Sequence, residues 1–175
     1  MPNQTFNTVP GRTIARELLI AYLNTGTAAS PIWSPLGRRV QDSSTELDWS
    51  SDTIRDILGN IYGTMKKPTV TQTFEPWDLD GDDDAQLKIW NLAVNNQDPQ
   101  GLTALEMLVV HFYAGDSVAP FAERYAACMC EVTGIGGEGG GNIGMPITVT
   151  FGGERTVGTA TKDAATGAIT FTPGP

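Results

Sequence analysis

The residues that could do chemistry in this chain fall into a few small groups. Gly134-Ile135-Gly136-Gly137-Glu138-Gly139 satisfies the letters of a GxGxxG phosphate-binding turn. That fingerprint needs a helix to begin at the turn, because the helix N-terminus holds the pyrophosphate. Here the next segment is NIGMPITVTF, strand-like and carrying Pro146, so the stretch reads as a loop between strands. Asp78-x-Asp80-Gly81-Asp82-Asp83-Asp84 resembles the head of a calcium loop. Counted from Asp78, an EF-hand wants Gly at position six and Glu at position twelve, and finds Asp83 and Ile89. We read this run as a helix-capping acidic loop, with a weak surface cation site as the alternative.

His111 is the sole histidine and would have to be the base of any Ser–His–Asp or Cys–His arrangement. It sits inside LVVHFYAG with no nucleophile elbow nearby, and reads as a strand-packed histidine. Cys128 and Cys130 stand two apart on an expected strand, with side chains on one face and no local basic activation. They read as reduced core thiols, and together with His111 they do not make an ordinary closed zinc set. Glu106 and Glu123 are carboxylates that could form a hydrolytic pair, but nothing in the sequence sets their separation. Trp33, Trp49, Trp77 and Trp90 could serve as sugar-stacking platforms, or pack into a core or a subunit seam. Nothing here supports an enzyme, and no cofactor or metal is expected.

The elements that must position these residues are mainly strands. Ile14, Leu18, Leu19, Tyr22 and Leu23 fit a helical stripe, and LLIAYL before Asn24-Thr25-Gly26 fits a buried strand equally; residues 14–24 stay open between the two. The strand is the reading we carry forward, because PIWSPLGRRVQDSSTELDW then supplies a hairpin partner and a continuation. In that continuation Ser44, Glu46, Asp48 and Ser50 alternate with Thr45, Leu47 and Trp49, a strand with one wet face. From Thr53 to Met65 the apolar residues do not alternate, so this segment is expected as a strand covered on both faces for part of its length. Lys66-Lys67-Pro68 stops it. The return segment Thr69–Glu75 alternates, with Val70, Gln72 and Phe74 on one side and Thr69, Thr71, Thr73 and Glu75 on the other. Together they read as a long hairpin arm.

One helix follows, with Asp83 as N-cap and Gln86 at capping-box spacing. Leu87, Trp90 and Val94 share a face of it, while Ile89, Leu92 and Ala93 lie on other sides. Beyond it come the β-rich runs Leu102–Tyr113, with bulk on both sides, and Phe121–Thr133. The glycine loop runs from Gly134 to Gly144, and three short strands, Met145–Phe151, Arg155–Thr161 and Ala168–Thr172, end the chain. The expected fold is mainly β: an antiparallel β-sandwich or barrel with one flanking α-helix and a long β-hairpin arm.

The 175 residues are expected to form one domain, 1–175, with residues 1–13 as a flexible N-terminal arm. The formal net charge is −9. That argues against a stable embrace of nucleic acid, which needs a basic face, but not against a surface that DNA passes without sticking. No apolar run reaches membrane-spanning length and no signal-peptide layout is visible, so no membrane partner is expected.

In this order the pieces LLIAYLNTGTAASPIWSPLG, then SSTELDWSSDTIRDILGNIYGTMKKPTVTQTFEPWDLDG, then a helix and LEMLVVHFY, resemble the major tail tube proteins of long-tailed phages of Gram-positive hosts. DILGNIYGT followed by TQTFEPW before the helix is the most telling piece, and the resemblance spans residues 18–113. It implies a structural virion protein of the tail, made in the host cytoplasm and closing into rings of six copies. Rings would stack into a tube that houses the tape-measure protein, meets tail terminator and distal tail proteins, and conducts dsDNA. Contractile-tail inner tubes share this fold, so tail type stays open. Within that picture Ile57, Ile61, Met65, Ile89 and Leu92 are the expected subunit-interface residues. Glu46, Asp48, Thr71, Thr73 and Glu75 are the expected lumen-facing ones, with the outer surface of the tube as the alternative. Rival readings are a carbohydrate- or host-binding β-sandwich module and a ring-forming head–tail connector or tail terminator.

Overall fold

A computed structural model describes residues 3–175. Residues 1–2 of the expected N-terminal arm lie outside the described residues. Among the others, Thr5 to Asn7 run beside the end of a long strand, with Gly115 N–H donating to Thr5 O (2.8 Å) and Asn7 N–H to Tyr113 O (2.9 Å).

After a short 3₁₀ turn at Arg16–Leu18, strand β1 (Leu19–Asn24) pairs antiparallel with β2 (Trp33–Pro35), the hairpin partner expected from sequence. Strands β3 (Thr45–Asp48), β4 (Asp52–Arg55), β5 (Ile61–Thr64) and β6 (Thr69–Phe74) follow. Helix α1 (Asp84–Trp90) runs on into a π turn at Asn91–Asn95, and a one-turn helix α2 (Pro99–Thr103) precedes β7 (Leu105–Gly115). The chain closes with β8 (Pro120–Val132), β9 (Ile147–Phe151), β10 (Arg155–Lys162) and β11 (Ile169–Pro173).

All pairings are antiparallel, and β8 organises them. Its first half lies between β7 and β10, and its second half pairs with β9. One limb of the sheet is therefore β2-β1-β7-β8-β10-β11, and the other is β8-β9-β6-β3. The pairing of β8 with β7 shifts register between Leu105 and Met107. Such a bulge turns successive side chains over. Glu123 and Tyr125 face inward before it, and Cys128 and Cys130 face inward after it. Gly153 supports the fork: its φ is +72°, and a Cβ there would meet Ala127 N at 2.6 Å.

Two apolar clusters result. The larger lies between the limbs and under α1, with Leu23, Phe74, Trp77, Ile89, Met107, Cys128, Cys130, Met145, Ile147 and Val149 among its members. The smaller gathers Tyr22, Trp33, Leu108, Val110, Ala122, Ala160 and Ile169, so the first limb curls until its edge strands β2 and β11 share a core. β7 is covered on both faces, as its sequence implied. Residues 14–24, left open from sequence, resolve as a 3₁₀ turn and a buried strand.

The helix departs from its expected orientation. Asp83 caps it, accepting from Ala85 N (3.0 Å) and Gln86 N (3.1 Å). Yet the buried face is Ala85, Gln86 and Ile89, while Leu87 is 58% exposed. Gln86 goes inward because its amide ties the acidic loop from below. Its Oε1 accepts from Asp80 N (2.6 Å) and its Nε2 donates to Asp78 O (2.8 Å). A hydrogen-bonded glutamine can occupy a core position that hydrophobicity alone assigns to leucine.

Candidate assembly surfaces

The expected doubly covered strand Thr53–Met65 is instead a small hairpin, β4 and β5, standing away from the sheet. The register Ile54↔Tyr62 and Arg55↔Ile61 leads into a turn at Asp56–Asn60. Asp56 makes that turn: its Oδ1 accepts from Leu58 N (2.9 Å) and Asn60 N (2.8 Å), and its Oδ2 from the Asn60 side chain (2.9 Å) and the Tyr62 hydroxyl (3.2 Å). Gly59, at φ +86°, takes the left-handed position that a side chain would strain. The non-alternating apolar pattern came from a turn and an uncovered arm, not from cover on two faces. Ile57 is 102% exposed, and Leu58, Ile61 and Met65 are also out in solvent. Trp49 O accepts from Lys66 N at the root (3.0 Å), so β3–β4 and β5–β6 form the two rails of one long hairpin.

Of the expected interface residues, Ile57, Ile61 and Met65 are thus free surface. Ile89 is not: it is fully buried in this chain's own core, because it lies on the inward face of α1 that Gln86 fixes. Leu92 is half-buried and packs against the same core.

The second surface is the outer face of the β8-β9-β6-β3 limb. Cross-strand partners point to the same side. Glu46, Thr71, Thr150 and Met129 therefore form one row across four strands, and Thr73, Thr148 and Glu131 form the next. Glu46, Asp48, Thr73 and Glu75 are exposed and Thr71 is half-buried. The alternation read from sequence holds, with Gln72 and Phe74 buried behind it. Apart from Met129, 44% exposed at the β8 end, the rows hold carboxylates and threonines and no Lys or Arg, a largely hydroxylated, negatively charged face.

The third is an apolar cleft of about 660 Å³ where the two limbs open apart. Leu47, Trp49 and Val70 form one wall, Val109 and Phe151 another, and a polar cluster its end. Glu123 anchors that cluster. Its Oε1 receives His111 Nε2 (3.0 Å), and its Oε2 receives the Tyr125 hydroxyl (2.6 Å) and Arg155 Nε (2.7 Å). Burial would raise the carboxyl pKa, but the His111, Arg155 and Tyr125 donors outweigh it and hold it at about 2. His111 Nδ1 lies 2.9 Å from the Tyr113 hydroxyl. The histidine is thus committed on both nitrogens, and among the described residues no Ser or Cys lines the cleft around it.

The other chemical candidates resolve into structure. Glu106 binds Arg124 and the Asn24 amide and shares no partner with Glu123. Burial pushes the Cys128 and Cys130 thiols up to about 11 and about 12, which makes them poor nucleophiles. In the acidic loop, Arg39 Nε binds Asp80 Oδ2 (2.9 Å) and Arg38 donates to Asp82 O (2.7 Å), supplying the positive charge a cation would bring. The glycine loop folds back on itself, Gly136 against Gly144, and leads into β9. Trp33 and Trp77 are buried and Trp90 is half-buried; Trp49, 44% exposed in the cleft, is the remaining platform.

Sequence reasoning missed the cleft and the Glu123–Arg155 pair. The pair joins residues far apart in the chain, and no local pattern carries it. The apolar alternates Leu47 and Trp49, opposite the wet face of β3, were the available sign of the cleft.

No family model matches this chain, nor does any curated protein. Among solved structures, the sheath/tube terminator of the PVC extracellular contractile injection system in its extended state aligns with a TM-score of 0.50 at 10% identity, over 85% of this chain and 99% of that chain. The tube-terminating cap of the anti-feeding prophage aligns at 0.48 and 12% identity, over 88% and 96%. The PVC sheath–tube complex aligns at 0.45 and 9% identity, over 86% and 94%. The first of these is a likeness of fold.

Proposed function

We propose that this chain is a structural subunit of a phage-type tail, which closes into rings, with six copies as the expected number, that stack into a tube. The observation that carries the reading is the arm from Trp49 to Lys66. A two-stranded extension is marginal alone, and exposed apolar clusters and open strand edges mark association surfaces. A rotationally closed, head-to-tail ring consumes both. The tube would house a tape-measure protein, meet terminator and distal tail proteins, and conduct dsDNA as part of the virion. The Glu46, Asp48, Thr71, Thr73 and Glu75 face suits a lumen, since negative walls let phosphates pass without sticking. The role is non-catalytic.

A second reading, a ring-forming tail terminator, is favoured by the fold likeness to the PVC sheath/tube terminator. Negative-stain microscopy of the purified protein separates the two. Tubes support the tube subunit, isolated rings support the terminator, and a monodisperse monomer overturns both.

A further inference from the structure

We infer that the arm tip of one copy, Ile57 and Leu58, seats in the cleft between the limbs of a second copy. The inference rests on the arm being an assembly element and names its receptor.

Three observations converge. The tip is a preformed knob: its turn is locked by four hydrogen bonds to Asp56, while Ile57 and Leu58 are 102% and 82% exposed. The cleft is a preformed hole, of a size that holds several apolar groups, with Leu47 54% and Trp49 44% exposed on its wall. The arm cannot fill its own cleft. Trp49 and Lys67, at its root, are part of the cleft wall, and the tip lies roughly 25 Å further along the strands at 3.2–3.4 Å per residue.

Charge favours this hole over the groove beside the π turn. In the outer part of the arm, residues 52–64, Asp52 and Asp56 outnumber Arg55, with Lys66 back at the root, while Lys67 and Arg155 outnumber Glu123 around the cleft. The groove beside the π turn, of about 630 Å³, carries Glu131 as its only charged residue and repels an acidic tip. The same acidity, in a chain of net charge −9, disfavours an anionic lipid surface as occupant. Arg155 and Glu123 pair with each other, so Lys67 supplies the positive charge left over on the cleft wall.

The test mixes an Ile57→Cys variant with a Leu47→Cys variant under mild oxidation. Both positions are exposed, and the native thiols are buried. A disulfide joining positions 57 and 47, identified by peptide mapping, should exceed the 57–57 and 47–47 products of the same mixture at least about tenfold, because seating raises the local thiol concentration. Its absence under conditions where the variants still assemble overturns the cleft as receptor and leaves the arm reading standing. Its absence in protein that does not assemble overturns both. Ile57→Glu that forms tubes or rings like wild type overturns the arm reading itself. Flotation of wild-type protein with phosphatidylcholine vesicles, lost in Ile57→Glu, together with no 57–47 product, overturns the inference in favour of a membrane.

Discussion

Replacing Glu123 by glutamine tests the polar end of the cleft. The carboxylate accepts from His111, Tyr125 and Arg155, and its pKa is held at about 2 against an ordinary 4.5. At 1.36 kcal/mol per pKa unit that depression is worth about 3 kcal/mol of preference for the charged form. Arg155 is 38% exposed, so solvent screening brings the expected figure to about 2 kcal/mol. Glutamine keeps the shape but offers one acceptor oxygen and leaves the Arg155 charge facing a neutral group. Because the folded pKa lies below the unfolded one, wild type holds this stabilisation above about pH 4.5 and loses it as pH falls through about 2. Urea unfolding followed by tryptophan fluorescence should therefore show the variant about 2 kcal/mol less stable near neutral pH, at unchanged m-value. The gap should close as pH falls from 4.5 towards 2. A gap that stays constant down to that limit, or no gap at neutral pH, refutes the assignment of Glu123 as the charged anchor.

Ile89→Ala should cost about 2–4 kcal/mol in the same assay, because Ile89 is fully buried under α1; a loss below about 0.5 kcal/mol would remove it from the core. Ile57→Glu should leave stability within about 0.5 kcal/mol while abolishing assembly, read by unfolding and by negative stain in parallel. Asp83→Ala should cost about 1 kcal/mol through loss of the helix cap, whereas Asp83→Asn should be close to neutral; equal losses in the two would contradict the cap geometry. Lysine at Glu46, Asp48 and Glu75 together should slow DNA ejection from assembled tails, with the defect relieved by salt. Normal ejection, with the new lysines open to bulky external amine reagents, places that face outside the tube.

What was legible in the sequence was whatever local periodicity encodes. The alternation in Thr69–Glu75 and the Asp83 cap follow from side-chain direction within a single element, and the structure has both; the run Leu102–Tyr113, expected with bulk on both sides, is covered on both faces from Leu105, where β7 begins. The arm was legible as an arm but misread in detail. A strand buried on both faces and a hairpin buried on neither both lack alternation, and Asp56 and Gly59 were the turn signals that separate them. The orientation of α1 was hidden for a different reason: Gln86 owes its burial to hydrogen bonds with the loop before the helix, which no hydrophobic count includes. The Glu123–Arg155 pair and the apolar cleft depend on β8 being shared between limbs, a property of topology that leaves no periodic trace.

That shared strand also has a mechanical consequence. Two sheets that merely stack can slide over one another, since only side-chain packing resists shear between them. Here a 13-residue strand runs continuously from one limb into the other, so a tangential load on the β3–β6 wall passes along a covalent backbone into the β1–β7 limb. The bulge and Gly153 mark where that load path bends. A subunit built this way deforms as one spring and has no slip plane. In a stacked column of such subunits, bending would therefore concentrate at the contacts between them.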